Sequence, residues 1–176
     1  MEIVRLPAER PSVARYVEEL WLPYNRELSR TVERFELASD VDLIGEEVEF
    51  RLGLLEEDTY RLWVCLSDSI DEPVDIASIE TDLLGFVTAD IDRAPSVFDQ
   101  PDRMVLGDIY VVPDHRGEGV ADALVGQVKR YAQATDCTEV YLEVDIDNDR
   151  ARGYYEKIGF EPYRTIMTAA TDELPG

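Results

Sequence analysis

The fold of this chain is decided by residues 106–121, which read LGDIYVVPDHRGEGVA. The apolar residues 109–112 predict a strand that ends at Pro113, and a helical pattern begins at the two glycines. A strand, a glycine-rich turn and a helix together present backbone N–H groups and the positive end of a helix dipole to an anion. The alternative is that Gly117 and Gly119 only permit a tight connection.

The kind of anion is narrowed by the motifs that this turn lacks. No Gly-Lys-Ser/Thr sequence follows the glycines, so the turn differs from a nucleotide P-loop. It also lacks the G-x-G-x-x-G spacing of a dinucleotide-binding fold. We therefore expect an anion other than a nucleoside triphosphate or NAD.

Three segments after the turn have clear periodicity. Residues 117–134 predict the best helix of the chain, because apolar side chains recur on one face. Residues 139–145 alternate between apolar and polar side chains and predict a strand. Residues 148–158 predict a short helix that ends at Gly159 in the left-handed conformation.

The rest of the chain supplies further strands and helices. Strands are predicted at residues 2–6, 60–66, 83–89, 104–112 and 163–169. A helix is predicted to begin at Pro11, and Pro23 is expected to end or kink it. Further helices are predicted at residues 24–36 and 41–57. Residues 67–80 and 95–102 are expected to be loops. This order predicts an α+β (mixed α/β) fold in a single domain over residues 1–176.

Composition excludes several classes of partner. Hydrophobic residues make up 45% of the chain. The chain has 39 acidic and 17 basic residues, which give a net charge of −22. Binding to nucleic acid or to an acidic membrane is disfavoured, because both require a basic surface. The excess charge is interpreted as adaptation to a salt-rich cytoplasm rather than as a trap for a cationic substrate, since acidic residues occur along the whole chain. This interpretation predicts lower stability at low salt.

The sequence lacks the patterns of a membrane span, a signal peptide and a metal site. No apolar run approaches the length of a membrane span, and the N-terminus does not resemble a signal peptide, so we expect a cytoplasmic protein. Cys65 and Cys137 lie in strand-like apolar surroundings and are expected to be buried thiols. With one histidine and no Cys/His spacing pattern, no metal site is expected.

Two ordered motifs resemble the GNAT superfamily of N-acetyltransferases, which use acetyl-CoA. The Arg/Gln-x-x-Gly-x-Gly/Ala signature is matched by Arg116, Gly119 and Ala121. The second signature, after the next strand, is matched by Asn148, Ala151, Tyr155, Gly159 and Phe160. Leu84-Gly85-Phe86 also looks like the third strand of that family. The resemblance covers residues 80–169, whereas residues 1–60 match only in their helical character.

The resemblance implies a fold and a donor site. The fold would be a central, mostly antiparallel mixed sheet flanked by helices, with the fourth and fifth strands splayed apart to admit pantetheine. Residues 80–169 would bind acetyl-CoA, and helices within residues 8–57 would shape the acceptor site. The pyrophosphate would lie on the backbone N–H groups of Arg116, Gly117, Glu118, Gly119, Val120 and Ala121.

The resemblance implies further contacts with acetyl-CoA on both sides of that turn. Val111 and Val112 would hydrogen-bond pantetheine through their backbone, and an N–H near Val111 would polarise the thioester carbonyl. Arg116 would add positive charge near the pyrophosphate. Asn148 would hydrogen-bond the pantetheine arm, cap the following helix, or do both.

The resemblance also implies catalytic roles. Tyr155 would be the general acid that protonates the departing thiolate, with Tyr154 as the better candidate for a packing role. The general base is Asp108 or Glu143, and for each the alternative is a solvated carboxylate. The only histidine, His115, is discounted because it lies on the donor side.

Several questions stay open at this point. The proposed reaction is acetyl transfer to a primary amine, on a small molecule or a protein, and transfer of a longer acyl group is a variant of it. The alternatives are a catalytically silent module that binds or senses acyl-CoA, and a scaffold for protein interaction. A homodimer is compatible with the resemblance.

Overall fold

Five strands form one sheet in the order β1-β2-β3-β4-β5 in this computed structural model, which describes residues 1–69 and 76–175. The strands are β1 Glu2–Arg5, β2 Arg61–Leu66, β3 Leu83–Asp92, β4 Arg103–Val111 and β5 Val140–Tyr141. The first four strands pair antiparallel, and β5 runs parallel to β4. This mixed sheet confirms the predicted fold class.

The two strands at one edge of the sheet separate soon after they pair. Met104 and Val105 of β4 pair with Val140 and Tyr141, and the described pairing of the two strands ends there. From Leu106 onward β4 continues for six residues without β5 beside it. The predicted splay is therefore present, and it leaves one backbone edge of β4 open next to the glycine-rich turn.

A β-bulge interrupts β4 just beyond this separation. Val87 of β3 pairs with Ile109 and Ala89 pairs with Leu106, so Thr88 lies opposite both Gly107 and Asp108. The Asp108 N–H donates to Thr88 Oγ1 at 2.8 Å, which stabilises the extra residue. A bulge of this kind redirects the side chains that follow it.

Five α-helices flank the sheet within residues 1–69 and 76–175. They are α1 Arg10–Tyr16, α2 Leu22–Thr31, α3 Leu43–Leu55, α4 Val120–Ala134 and α5 Asp149–Lys157. A π-helical turn over Val17–Trp21 joins α1 to α2 immediately before Pro23. Pro23 has no N–H to donate to the preceding turn, and a wide turn is one way to accommodate that loss. The helix thus continues past Pro23 instead of ending there.

Apolar side chains pack on both faces of the sheet. On one face α1, the π turn and α3 bury Tyr16, Leu20 and Val48 against Phe86. On the other face α4 buries Leu124 against the side chains of β3 and β4. Burial on both faces explains why residues 61–66 read as a nearly continuous apolar run rather than an alternating one.

Two predicted strands differ from the structure. Residues 139–145 form a strand only at Val140–Tyr141, because β4 diverges and offers no further partner. The strand predicted at residues 163–169 is wrong: this segment is neither strand nor helix, and its apolar side chains are exposed. An alternating segment without a neighbouring strand has no partner for its backbone groups.

The other boundaries lie close to the predictions. The predicted loop at residues 95–102 has no regular structure, and residues 70–75 of the predicted loop at 67–80 lie outside the described residues. Cys65 and Cys137 are free, buried thiols, as expected. In the described part of the chain no helix is both long and apolar enough to cross a membrane, and no group of metal-binding side chains occurs.

Candidate active site

The glycine-rich turn lies at the end of β4, beside the open strand edge. Pro113–His115 form a 3₁₀ turn, and Gly117 and Gly119 take left-handed conformations with φ of +79° and +85°. These angles delay the start of α4 to Val120, three residues later than the helix was predicted to begin. The first N–H groups of α4 have no carbonyl partner within the helix, so they are free to meet an anion.

The Arg116 side chain contacts β4 and α2. Its Nε donates to the Val111 carbonyl at 3.0 Å, and its guanidinium donates to Glu27 Oε2 at 2.6 Å. It also lies over the Tyr110 ring, 5.6 Å from the centroid. Arg116 therefore ties the turn to β4 and to α2, and it occupies one lone pair of the Val111 carbonyl.

Glu27 joins two arginines from different elements. While one carboxylate oxygen accepts from Arg116, the other accepts from Arg150 of α5 at 2.6 Å. Burial raises the pKa of Glu27, but hydrogen bonds from the two arginines outweigh this effect and leave the pKa below its ordinary value. Glu27 is therefore ionised at neutral pH.

Two other side chains of the turn pair with each other. His115 Nδ1 and Glu118 Oε2 lie 2.9 Å apart at the surface. A carboxylate beside a bound pyrophosphate would repel it. Glu118 could therefore contact an anion in this turn only through its backbone N–H.

The end of β4 is held rigidly by β3. Val112 N–H donates to the Leu84 carbonyl at 3.0 Å, so this N–H is already occupied. A Cβ at Gly85 would lie 2.4 Å from the Tyr110 carbonyl oxygen, so only glycine permits the two strands to approach this closely. Val111 itself is buried.

Asn148 caps α5. Its Oδ1 accepts from the Ala151 N–H at 3.2 Å, which satisfies one of the unpaired N–H groups at the start of the helix. The capping bond uses only the carbonyl oxygen of the side chain. The Nδ2 group keeps its two donors for another partner.

The two adjacent tyrosines of α5 have different surroundings. Tyr155 is buried and packs against Phe160 with ring centroids 5.7 Å apart, whereas Tyr154 is partly buried and its hydroxyl donates to Asp122 Oδ1 at 3.0 Å. The expectation that Tyr154 is the packing tyrosine is therefore wrong. Burial, together with the charge of Asp108, raises the pKa of Tyr155 to about 12, so its hydroxyl keeps its proton at neutral pH.

Asp108 lies at the bulge and faces the N-terminal helices. Its Oδ1 accepts from the Tyr24 hydroxyl of α2 at 3.3 Å. Burial raises the pKa of Asp108 above its ordinary value, while the positive charge of Arg51 and the Tyr24 hydrogen bond partly oppose that rise. The structure thus brings Asp108 into the same electrostatic environment as Tyr155, and α2 supplies a tyrosine to it.

Behind Asp108 lies a buried charged network on α3. Arg51 is only 4% exposed, pairs with Glu47 at 2.5 Å and donates to the Tyr60 hydroxyl. The neighbouring Tyr16 hydroxyl is fully buried, and among the described residues it has no hydrogen-bond partner. The network places one compensated positive charge next to the Asp108 carboxylate.

Glu143 lies elsewhere. Its side chain is exposed, and its charge acts on Tyr141 of β5, whose hydroxyl donates to Asp92 at 3.0 Å. Asp92 in turn pairs with Arg103 at the start of β4, which is the end of that strand far from Val111. Of the two candidate bases, only Asp108 shares surroundings with Tyr155.

The side chains that surround Asp108 have at most a weak signal in the sequence. Tyr24 and Glu27 fall three residues apart in the pattern that predicted a helix at residues 24–36, so a shared face could have been expected. No sequence signal indicates that Arg51 is buried, because a lone arginine on a helix is usually solvated.

A cleft opens between the π turn and α3 on the same side of the sheet. It is lined by Trp21, Leu43, Glu46, Glu47 and Phe50. Glu47 lies on this wall and also belongs to the network beside Asp108. The cleft therefore shares Glu47 with the charged network that acts on Asp108.

Comparison with known proteins agrees with these features. The model of the acetyltransferase (GNAT) family matches residues 24–160. An acetyltransferase of Yersinia pestis is 40% identical over 57 residues, which cover 32% of this chain and 40% of that protein. One from Pectobacterium atrosepticum is 41% identical over 51 residues, which cover 29% of this chain and 36% of that protein. The matched part thus spans about two fifths of these relatives.

Solved structures share the whole fold at low identity. The aminoglycoside 6′-N-acetyltransferase AAC(6′)-Ig from Acinetobacter haemolyticus has a TM-score of 0.67 and 21% identity, covering 97% of this chain and 98% of that one. The BH1408 protein of Bacillus halodurans, as a tetramutant, has a TM-score of 0.72 and 15% identity, covering 97% and 99%. AAC(6′)-Iy, in complex with a bisubstrate analogue of CoA and acetylneamine, has a TM-score of 0.63 and 16% identity, covering 97% of each chain.

Proposed function

Because the chain belongs to the GNAT acetyltransferase family, we propose that it transfers the acetyl group of acetyl-CoA to a primary amine by direct attack. The observation that carries this proposal is that Asp108, in the bulge of β4, and the buried Tyr155 of α5 share one electrostatic environment. The charge of Asp108 acts on Tyr155, and burial raises the pKa of both. Such pairs are typical of acid–base catalysis.

Donor binding in this proposal uses the backbone of the turn. The pyrophosphate lies on the N–H groups of residues 117–121 at the positive end of α4, where Gly117 and Gly119 leave the backbone uncovered. The N–H of Arg116, also predicted to contact the pyrophosphate, already donates to the Pro113 carbonyl at 3.3 Å. Pantetheine runs along the open edge of β4, and Asn148 Nδ2 donates to it while Oδ1 continues to cap α5. Arg116 supports the turn from behind through Val111 and Glu27.

The chemical step needs two proton transfers. The amine nitrogen attacks the thioester carbon, and the carbonyl oxygen becomes an oxyanion that the N–H near Val111 stabilises. Asp108 removes a proton from the amine, directly or through water, since the raised pKa makes its carboxylate a better base than an ordinary aspartate. The C–S bond then breaks, and Tyr155 gives its proton to the departing sulfur. Glu143, exposed beyond β5, is the weaker candidate for the base.

The acceptor in this proposal reaches Asp108 from the side of the N-terminal helices. The cleft lined by Trp21, Glu46 and Phe50 opens on that side, and its acidic and aromatic walls suit an organic cation. Two of the similar structures are enzymes that act on aminoglycosides, which makes polyamines of that class natural members of a test panel.

The decisive experiment follows thiol release from acetyl-CoA with a panel of amines: an aminoglycoside, a linear polyamine, an arylalkylamine and a peptide N-terminus. We expect turnover with at least one of them and a loss of roughly 10²-fold or more in kcat for Tyr155→Phe. Acetyl-CoA that binds in calorimetry without turnover of any amine would favour the silent acyl-CoA-binding module. No acetyl-CoA binding at all would contradict the whole proposal.

Salt is a variable in each assay. With a net charge of −22, the acidic side chains repel one another, and the protein repels the polyanionic acetyl-CoA. High ionic strength screens both repulsions. We expect the melting temperature to rise from dilute buffer to molar KCl. An equal melting temperature in the two buffers would contradict salt adaptation without affecting the proposed reaction.

A further inference from the structure

We propose that Glu27 is a positioning residue, which holds α2 against the donor-binding turn and thereby keeps the Tyr24 hydroxyl on Asp108. The proposal rests on the function given above, in which Asp108 is the general base. It adds a physical connection between the donor turn and the acceptor side of the site.

The connection begins with two arginines that approach Glu27 from different elements. Arg116 belongs to the donor turn and Arg150 to the first turn of α5, and each donates to a separate oxygen of the Glu27 carboxylate at 2.6 Å. Arg116 is itself fixed by the Val111 carbonyl and by the Tyr110 ring. One side chain of α2 is therefore anchored to the turn, to β4 and to α5.

This anchor matters because α2 has little apolar burial of its own. Within Leu22–Thr31 only Leu22, at the start of the helix, is buried. Side chains three residues apart lie on the same face of a helix, so Glu27 and Tyr24 face the same neighbours. The ion pairs of Glu27 thus add to the ring contacts of Tyr24 with Phe86 and Tyr110 in holding this part of the helix.

Tyr24 is the residue through which the anchor reaches the site. Its ring packs edge-on against Phe86 with centroids 5.8 Å apart, and its hydroxyl donates to Asp108 at 3.3 Å. Ring contacts occur over a range of centroid distances, whereas a hydrogen bond has a narrow range of donor–acceptor distances. A shift of the helix by about 1 Å would lengthen the donor–acceptor distance beyond the hydrogen-bonding range.

The titration of Asp108 reports whether that hydrogen bond is present. The titratable and charged groups that interact electrostatically with Asp108 come from α1, α2, α3, α5 and the residue just before β2: Tyr16, Tyr24, Glu47, Arg51, Tyr60 and Tyr155. Of these, Tyr24 donates a hydrogen bond to the carboxylate, which lowers the pKa of Asp108. Loss of that bond should raise it.

The test measures the Asp108 carboxyl by ¹³C NMR over a pH titration, with the signal assigned by its absence in Asp108→Asn. We expect Tyr24→Phe and Glu27→Gln each to move the midpoint upward by about 0.5 pH or more. The double variant should show no further rise, because both substitutions remove the same hydrogen bond. Glu18→Gln is the matched control; Glu18 is exposed in the π turn, and we expect no movement.

Two outcomes would overturn the proposal. One is an unchanged Asp108 midpoint in Glu27→Gln while Tyr24→Phe moves it. The other is full additivity in the double variant. Thermal unfolding of each variant identifies any that fail to fold, and Glu27→Asp, which keeps the charge on a shorter side chain, should recover part of the effect.

Kinetics give a second readout once an acceptor is found. We expect Glu27→Gln to lower kcat/KM for the amine by about fivefold and to move the acidic limb of its pH profile upward. The NMR titration needs no turnover, so absence of activity toward every amine would count against the proposed function and leave the Glu27 proposal to be judged by the titration alone.

Discussion

The two sides of the candidate site are built in different ways. The donor side uses backbone: a glycine turn, the start of α4 and the cap of α5 are each formed within a few residues of sequence. The acceptor side uses side chains that come from distant elements, since Asp108 meets Tyr24 of α2 across 84 positions. Turns and helix caps formed within a few residues can be recognised in the sequence, whereas a side-chain network assembled by packing is almost invisible there.

The largest effect should come from the centre of the acceptor side. Asp108→Asn is expected to lower kcat/KM by about 10²- to 10⁴-fold if Asp108 is the general base. In the unaltered protein the acidic limb of kcat/KM should lie above the ordinary pKa range of aspartate, because burial raises the pKa of Asp108 and the base works only when ionised. Glu143→Gln is the comparison, and a larger loss there would transfer the role to Glu143.

Stability should be affected most by the buried network behind Asp108. Arg51→Met leaves Glu47 without its partner in an apolar setting, and removing one member of a buried pair costs about 3–5 kcal/mol. The double variant Glu47→Leu/Arg51→Met should recover much of this loss, since no unpaired charge remains. The control is Arg10→Met, which breaks the exposed pair with Glu49 and should change denaturant unfolding little. Equal effects of Arg51→Met and Arg10→Met would contradict the buried network.

The donor turn should respond to backbone strain rather than to lost contacts. A Cβ at Gly119 would meet no atom within 4 Å, but the residue has a φ of +85°. Gly119→Ala is therefore expected to cost about 1–2 kcal/mol from conformation alone and to weaken acetyl-CoA binding. Gly153→Ala is the matched control: Gly153 lies in α5, has open space around it, and should gain up to about 1 kcal/mol. Similar signs for the two substitutions would show that the turn rearranges.

Substitutions of Asn148 should have the smallest effect on stability, and they distinguish a capping role from a role in acetyl-CoA binding. Asn148→Ala removes the cap of α5 and should cost about 1 kcal/mol in unfolding free energy. Asn148→Asp keeps the capping oxygen but removes the Nδ2 donors, so it should preserve stability and still weaken acetyl-CoA binding in calorimetry. Unchanged binding in Asn148→Asp would mean that the side chain only caps the helix.

The sequence predicted elements most reliably where periodicity and turn chemistry agree. Four of the five strands and the helices of residues 117–134 and 148–158 were located to within a few residues. The errors lie where pairing decides the structure. The segment at residues 163–169 alternates like a strand and has no neighbouring strand to pair with, and β5 is short because β4 turns away from it. Pairing partners are a property of the whole fold, so alternation alone could not reveal either outcome.

The candidate site divides in the same way. The motif at residues 116–121 and the offsets from Asn148 to Phe160 predict the donor side. The structure confirms the left-handed glycines and the helix cap, which are local requirements. The choice between Asp108 and Glu143 could not be made from the strands alone. The bulge opposite Thr88 gives Asp108 its surroundings, and a bulge depends on the register between two strands.

The sequence by itself determined the family, and it predicted acetyl-CoA as the donor and the place of the donor's phosphates, because each of these depends on residues close together in the chain. Only the tertiary structure decided that Asp108 is half-buried beside Arg51, that Tyr155 rather than Tyr154 is the buried tyrosine, and that Glu27 joins three elements. Burial and pairing of a charged side chain depend on what other elements bring next to it. That information is distributed over the whole chain and becomes visible only when the sheet and its helices have packed.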